Sequence, residues 1–148
     1  MIRLAAYVLI LSALIFAPVN KLDVAKLEPV EIVYIAQEGS LIKVSTDTGA
    51  AGDGETIEQA LHMLNATTAG VIYLDTAEYL LFNSKIESQI KQLEGSLRAN
   101  VRICLAESAD LENLAQFLES HGEFPYLRSW NTGDPLPELK DGKIVQKQ

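Results

Sequence analysis

Cysteine is almost missing from this chain. Cys104 is the only one, which excludes a disulfide within the chain and any cysteine-built metal cage. It sits in the stretch Val-Arg-Ile-Cys-Leu-Ala (residues 101–106), which reads as a strand, so the thiol is expected as a small buried group rather than a nucleophile. Histidine is nearly as scarce. His62 lies beside the apolar stripe of a predicted helix and His121 at the end of another, where a cationic side chain suits the helix dipole. Neither has a Cys, Ser or acid nearby in a catalytic pattern. Positive charge is short as well: 12 Lys and Arg stand against 20 Asp and Glu, a formal net charge of -8. That balance argues against a nucleic-acid partner, which needs a cationic footprint, and against capture of anionic lipid headgroups by the folded part. Internal repeats and low-complexity tracts are absent. No Lys-Ser/Thr pair follows the glycines to form a phosphate loop, and no cofactor is expected.

What the chain does have is one long apolar run. Arg3 precedes a largely apolar stretch from Leu4 to Ala17, interrupted by Ser12 and ended by Pro18. A positive start followed by such a run is the pattern of a secretory signal. It is short for a bilayer span, which takes roughly 20 apolar residues, but flanking side chains can snorkel. Ile15 is large for a residue near a cleavage point and Pro18 would follow the cut. Residues 1–20 are therefore expected to be an uncleaved anchor on the extracytoplasmic side of a cell membrane, the alternative being secretion after cleavage. Lys21 and Lys26 dilute the orienting effect of Arg3, since positive residues on both sides weaken the inside bias.

Residues 21–29 read as a linker, 30–130 as an α/β domain and 131–148 as a flexible tail broken by Pro135 and Pro137. Within the domain, residues 30–37 and 41–47 form a hairpin about Glu38-Gly39-Ser40, and Gly49, Gly52 and Gly54 then make a loop. Thr56 and Gln59 give a capping box for a helix striped by Ile57, Ala60, Leu61 and Leu64. The strand Val-Ile-Tyr-Leu-Asp-Thr and a further segment, Glu-Tyr-Leu-Leu-Phe, come next. Ser84 and Glu87 cap a second helix striped by Ile86, Ile90, Leu93 and Leu97. The strand around Cys104 leads to a third helix carrying Leu111, Leu114, Ala115 and Leu118, stopped by Gly122. Phe124–Trp130 reads as an edge strand, Pro125 disfavouring a central one, and Asp141-Gly142 can turn a last hairpin within the tail. Strands alternating with amphipathic helices predict an α/β fold around one mixed sheet. Tyr73, Tyr79, Phe82, Tyr126 and Trp130 are expected in core and sheet packing.

Two short patterns suggest chemistry. Asp47-Thr48-Gly49 spells the tripeptide with which aspartic proteases present a carboxylate, and Asp75-Thr76-Ala77 offers an imperfect second copy. A hydrolase of that kind would pair Asp47 with Asp75 or a symmetry mate so that two carboxylates share a proton. Polar Ser45 and Thr46 before Asp47, and a capped helix soon after it, favour a strand-to-helix turn instead. Asp47, Asp53 and Glu55 also crowd one glycine-rich loop, the oxygen-rich setting calcium takes, so a cation-sensing role is a further alternative. Asn65-Ala66-Thr67 matches a glycosylation acceptor.

A longer pattern runs from Gly54 to Glu107. A glycine precedes Thr56, Ile57, Ala60 and Leu61; a strand holds Ile72, Tyr73 and Leu74; and a final strand ends on Ala106-Glu107. This resembles the N-terminal domain of the Ger(x)C spore-germination proteins. The chain has Asp75 where that family tends to carry His, lacks a lipobox cysteine and lacks the family's large second domain. The resemblance implies a non-catalytic α/β domain displayed outside a bacterial membrane, working with membrane-embedded partners; self-association is the alternative to such a partner. It carries over no catalytic residue.

Overall fold

Residues 41–46 alternate between buried and at least partly exposed, whereas residues 79–82 are buried throughout, so the sheet has a half-exposed edge and a doubly covered centre. The computed structural model describes residues 27–146; the apolar run and most of the linker lie outside them. Among the described residues no helix is long and apolar enough to cross a membrane. Strand β1 (Leu27–Pro29) is followed by β2 (Ile32–Glu38) and β3 (Leu41–Thr46), which pair antiparallel with Ile35 opposite Val44. The expected hairpin is therefore present, Gly39 taking the left-handed conformation (φ 65°) in its turn.

The glycine loop is not a loop throughout. Ala51–Gly54 forms β4, an edge strand antiparallel to β3. Gly49 alone of the three takes positive φ, 84°. Gly52 and Gly54 serve close approach: a Cβ on Gly52 would collide with backbone of Ala60 and Leu64, and one on Gly54 would lie 2.6 Å from the Ala60 nitrogen. Helix α1 (Ile57–Thr67) thus packs directly on the β4 backbone. Its cap forms as the sequence implies, with the Thr56 hydroxyl accepting from Gln59 N at 3.2 Å. The Gln59 side chain reaches back to Glu55 N at 3.0 Å, satisfying two amides at the helix start.

After α1 the chain makes β5 (Val71–Tyr73), a 3₁₀ turn at Leu74–Thr76 and β6 (Tyr79–Phe82). β5 leaves the main sheet and pairs parallel with β1, so the end of the expected linker is a strand. The Ser84–Gly95 segment is a run of 3₁₀ turns rather than the expected α-helix. Its capping box does not form. Ser84 N donates to the Glu107 carboxylate at 3.2 Å, and Asn83 instead ties both its amide atoms to the Gln37 backbone. A 3₁₀ path rises about 2.0 Å per residue, which carries the segment farther across the sheet while Ile86, Ile90 and Leu93 stay buried.

Strand β7 (Arg102–Ala106) precedes α2 (Leu114–His121), which starts later than the apolar stripe suggests because Asn113 adopts φ 61°. Phe124–Trp130 makes only one antiparallel bridge, Tyr126 to Arg102, instead of a strand. β8 (Pro137–Lys140) and β9 (Lys143–Gln146) form the hairpin about Asp141 and Gly142 that the sequence allows, but it joins the main sheet instead of lying in a flexible tail.

The main sheet has the order β4-β3-β2-β6-β7-β8-β9, with β2, β6, β7 and β8 parallel. Such central strands need cover on both faces. Val33, Ile35, Leu80, Phe82, Ile103 and Leu105 face α1 and the 3₁₀ segment. Ile32, Leu81, Cys104 and Ala106 face α2 through Leu118, joined by Phe124 and Leu139. The α/β class and mixed sheet are those the sequence implies.

Candidate functional site

The two Asp-Thr pairs converge on one segment, residues 30–32, where the chain turns from β1 into β2. Asp47 ends the turn from β3 and lays its carboxylate across the start of β2. Oδ1 accepts from Glu31 N at 3.1 Å and Ile32 N at 3.2 Å, and Oδ2 accepts from Glu31 N at 3.2 Å. Beside it the Thr46 and Thr48 hydroxyls lie 2.8 Å apart, and Gly49 N donates to the Thr46 carbonyl at 3.0 Å. Thr76 acts from the other side, its hydroxyl accepting from Val30 N at 2.9 Å. The Asp75 side chain sits exposed on the 3₁₀ turn. The repeated letters thus do different work: a carboxylate holds one end of the segment and a hydroxyl the other.

Asp53 does not join Asp47. It lies exposed on β4 opposite Lys43, while Glu55 is exposed between β4 and α1. Among the described residues no three His, Cys, Asp or Glu side chains group closely enough to hold a metal ion. Cys104 is buried, as expected. Its thiol donates to the Pro137 carbonyl at 3.2 Å, and burial pushes its pKa up to about 12. His121 stacks on Phe117 with centroids 4.3 Å apart and lies 2.9 Å from the Phe117 carbonyl through Nδ1; His62 is exposed on α1. Asn65 of the glycosylation pattern accepts from Ile72 N at 3.0 Å and donates to the Leu61 carbonyl at 3.2 Å, clamping β5 to α1.

No protein-family model, curated protein or solved structure matches this chain.

Hollows of about 320 and 370 Å³ flank the Asp47-Thr48-Gly49 turn, one lined by Glu31 and Asp47 and the other by Thr48 and Gly49, and further surfaces lie away from it. A cleft of about 430 Å³ opens at the carboxyl ends of β7 and β8, lined by Glu107, Asp110, Leu114, Lys140 and Asp141 among others. Carboxyl ends of parallel strands are where open α/β sheets receive ligands. Glu107 is held there below the usual carboxylate range by its hydrogen bonds from Ser84. A smaller hollow of about 250 Å³ gathers Glu78, Arg98, Asn100, Arg102 and Tyr126. Glu78 pairs with both guanidiniums, at 3.6 Å to Arg98 and 3.2 Å to Arg102.

The β1–β5 ribbon offers an apolar surface. Its register sets Leu27 beside Val71 and Pro29 beside Tyr73, and alternation puts these four on one side. Val71 is 44% and Tyr73 41% exposed, whereas Ile72 between them is buried. Tyr73 and Tyr126 are therefore surface residues, against the expected core role, while Tyr79, Phe82 and Trp130 are buried as expected. Sequence reasoning expected β5 as a strand but read β1 as linker, because a three-residue strand carries almost no periodic signal.

Proposed function

We propose that this chain is a membrane-tethered, extracytoplasmic α/β domain that binds or assembles with membrane partners and does no chemistry of its own, as the resemblance to Ger(x)C N-terminal domains implies. The observation that carries this reading is the join between the apolar run and the fold. Leu4–Ala17 is separated from β1 only by Pro18–Lys26, so the folded unit is leashed closely to whatever the run inserts into. The positions of the polar groups agree with this role. Asp47 and Thr76 brace a chain crossing, and the sole thiol is buried under a raised pKa. Exposed Val71, Tyr73 and Tyr126 are apolar contact material for a membrane or its proteins.

Protease shaving of intact cells expressing the chain with a carboxyl-terminal tag tests this. Loss of the tag from outside, with a full-length product before shaving, is the expected result. A protected tag places the domain inside and sinks the reading. A full-length product lost to the medium, or a shortened secreted one, replaces the tether with secretion.

A further inference from the structure

We infer that the outer face of the β1–β5 ribbon, Leu27, Pro29, Val71 and Tyr73, rests on the lipid surface of the membrane that holds the tether; this rests on the tethered reading above.

All four residues on the ribbon's outer side are apolar or aromatic. Register places Leu27 with Val71 and Pro29 with Tyr73. The acid of β1, Glu28, is paired instead with buried Ile72 and so belongs to the inner side. A short ribbon built to face water would carry polar residues at those four outer positions. Tyrosine among aliphatic residues suits the boundary between headgroups and hydrocarbon, with an apolar ring and a hydroxyl that stays wet.

Chain length then selects the occupant. β1 begins at Leu27, and Pro18–Lys26 is all that separates it from the apolar run. Fully extended at about 3.3–3.6 Å per residue, that stretch reaches about 30–32 Å at most. Lys21 and Lys26 lie in it and can meet phosphate groups near the surface, which the acidic domain otherwise avoids. The face nearest the leash is thus also the one whose composition tolerates lipid.

This seating orients the rest of the molecule. β1 and β5 lead into the amino ends of β2 and β6, so the membrane side is the amino end of the parallel strands. The cleft lined by Glu107 and Lys140 opens at the opposite end, pointing away from lipid and free to meet a partner.

The test uses the full chain reconstituted into phosphatidylcholine vesicles, with p-benzoylphenylalanine replacing one residue at a time and adducts read by mass spectrometry. Position 10, inside the apolar run, reports the tether. Position 73 reports the ribbon. Leu41, 46% exposed at the far end of the β2–β3 hairpin, is the comparison. Lipid adducts at 10 and 73, several-fold above those at 41, are the expected result. Lipid adducts at 10 but only background at 73 overturn the ribbon's seating while the tether stands. Adducts from 73 to residues 4–17 of the same or another copy also overturn it, because the run would then cover the face itself. No lipid adduct at 10 removes the tethered reading and the inference with it. Replacing Val71 instead of Tyr73 repeats the measurement if the ring position disturbs folding.

Discussion

At the scale of single residues, the same letters acquired meanings that the motif alone did not supply. Asp47 stands in a protease-like tripeptide, yet its carboxylate spends both oxygens on the Glu31 and Ile32 amides. Asp47→Ala leaves those amides without their acceptor and should cost about 1–3 kcal/mol of stability, measured by chemical denaturation. Asp47→Asn keeps one acceptor oxygen and should cost less. Equal stability of wild type and Asp47→Ala would show that the carboxylate braces nothing, and acid-pH cleavage abolished by Asp47→Asn would revive the hydrolase reading. Cys104 gives a pH-dependent counterpart. Its folded pKa, about 12, lies above the ordinary thiol value of 9.0, so only the unfolded chain loses the thiol proton in between. Stability is unaffected by this group below about pH 9 and falls as pH rises from there, by at most about 1.4 kcal/mol per unit. Comparing denaturation at pH 8 and pH 10 in wild type and Cys104→Ala isolates this group: the loss should be larger in wild type. The burial of Cys104 was legible from its apolar flanks; the partners of Asp47 were not, because they depend on where β1 delivers residues 30–32.

At the scale of elements, periodicity found what was long and misjudged what was dictated by neighbours. The β2–β3 hairpin and α1 each carry several repeats of their own period, and both form with the expected faces inward. Ser84–Gly95 has equally regular apolar spacing but follows 3₁₀ turns, its first amide held by Glu107 and Asn83 tied to Gln37. Gly52 and Gly54 looked like loop residues and are strand residues over which α1 lies. The two uses of glycine separate by substitution. Gly52→Ala forces a methyl group into the Ala60 and Leu64 backbone, and should destabilise by about 1–3 kcal/mol or prevent folding, as overpacking does. Gly49→Ala meets open space but must adopt φ 84°, a strain of roughly 1–2 kcal/mol. Removing the exposed Glu123 side chain, which lies outside the helices and strands, is the neutral control. If both glycine variants melt with wild type, neither close approach nor backbone strain governs this edge.

At the scale of the whole molecule, the α/β class could be read from the alternation of elements, but the extent of the sheet could not. Proline and glycine after Asn131 argue locally against structure, and that argument fails because the last strands need only four residues each and borrow their order from β7. Pro137 opens β8 where it pairs with terminal β9 residue Gln146, so its missing amide disrupts little. Leu136 and Leu139 are 2% and 8% exposed, and the Trp130 indole donates to the Asp134 carbonyl at 3.2 Å, locking the approach to β8 against the core. The candidate surfaces were hidden for the same reason: the cleft at Glu107 and Lys140 exists only once β8 stands beside β7. A chain ending after Asn131 should therefore lose much more than a tail. It uncovers the β7 edge and the Cys104 side of the core, so the thiol should become reactive toward an alkylating reagent under native conditions and the thermal transition should fall or vanish. A flexible appendage predicts the opposite, an unchanged melting temperature and a thiol that stays protected, and the two outcomes are far enough apart for a single melting curve and a labelling time course to decide between them.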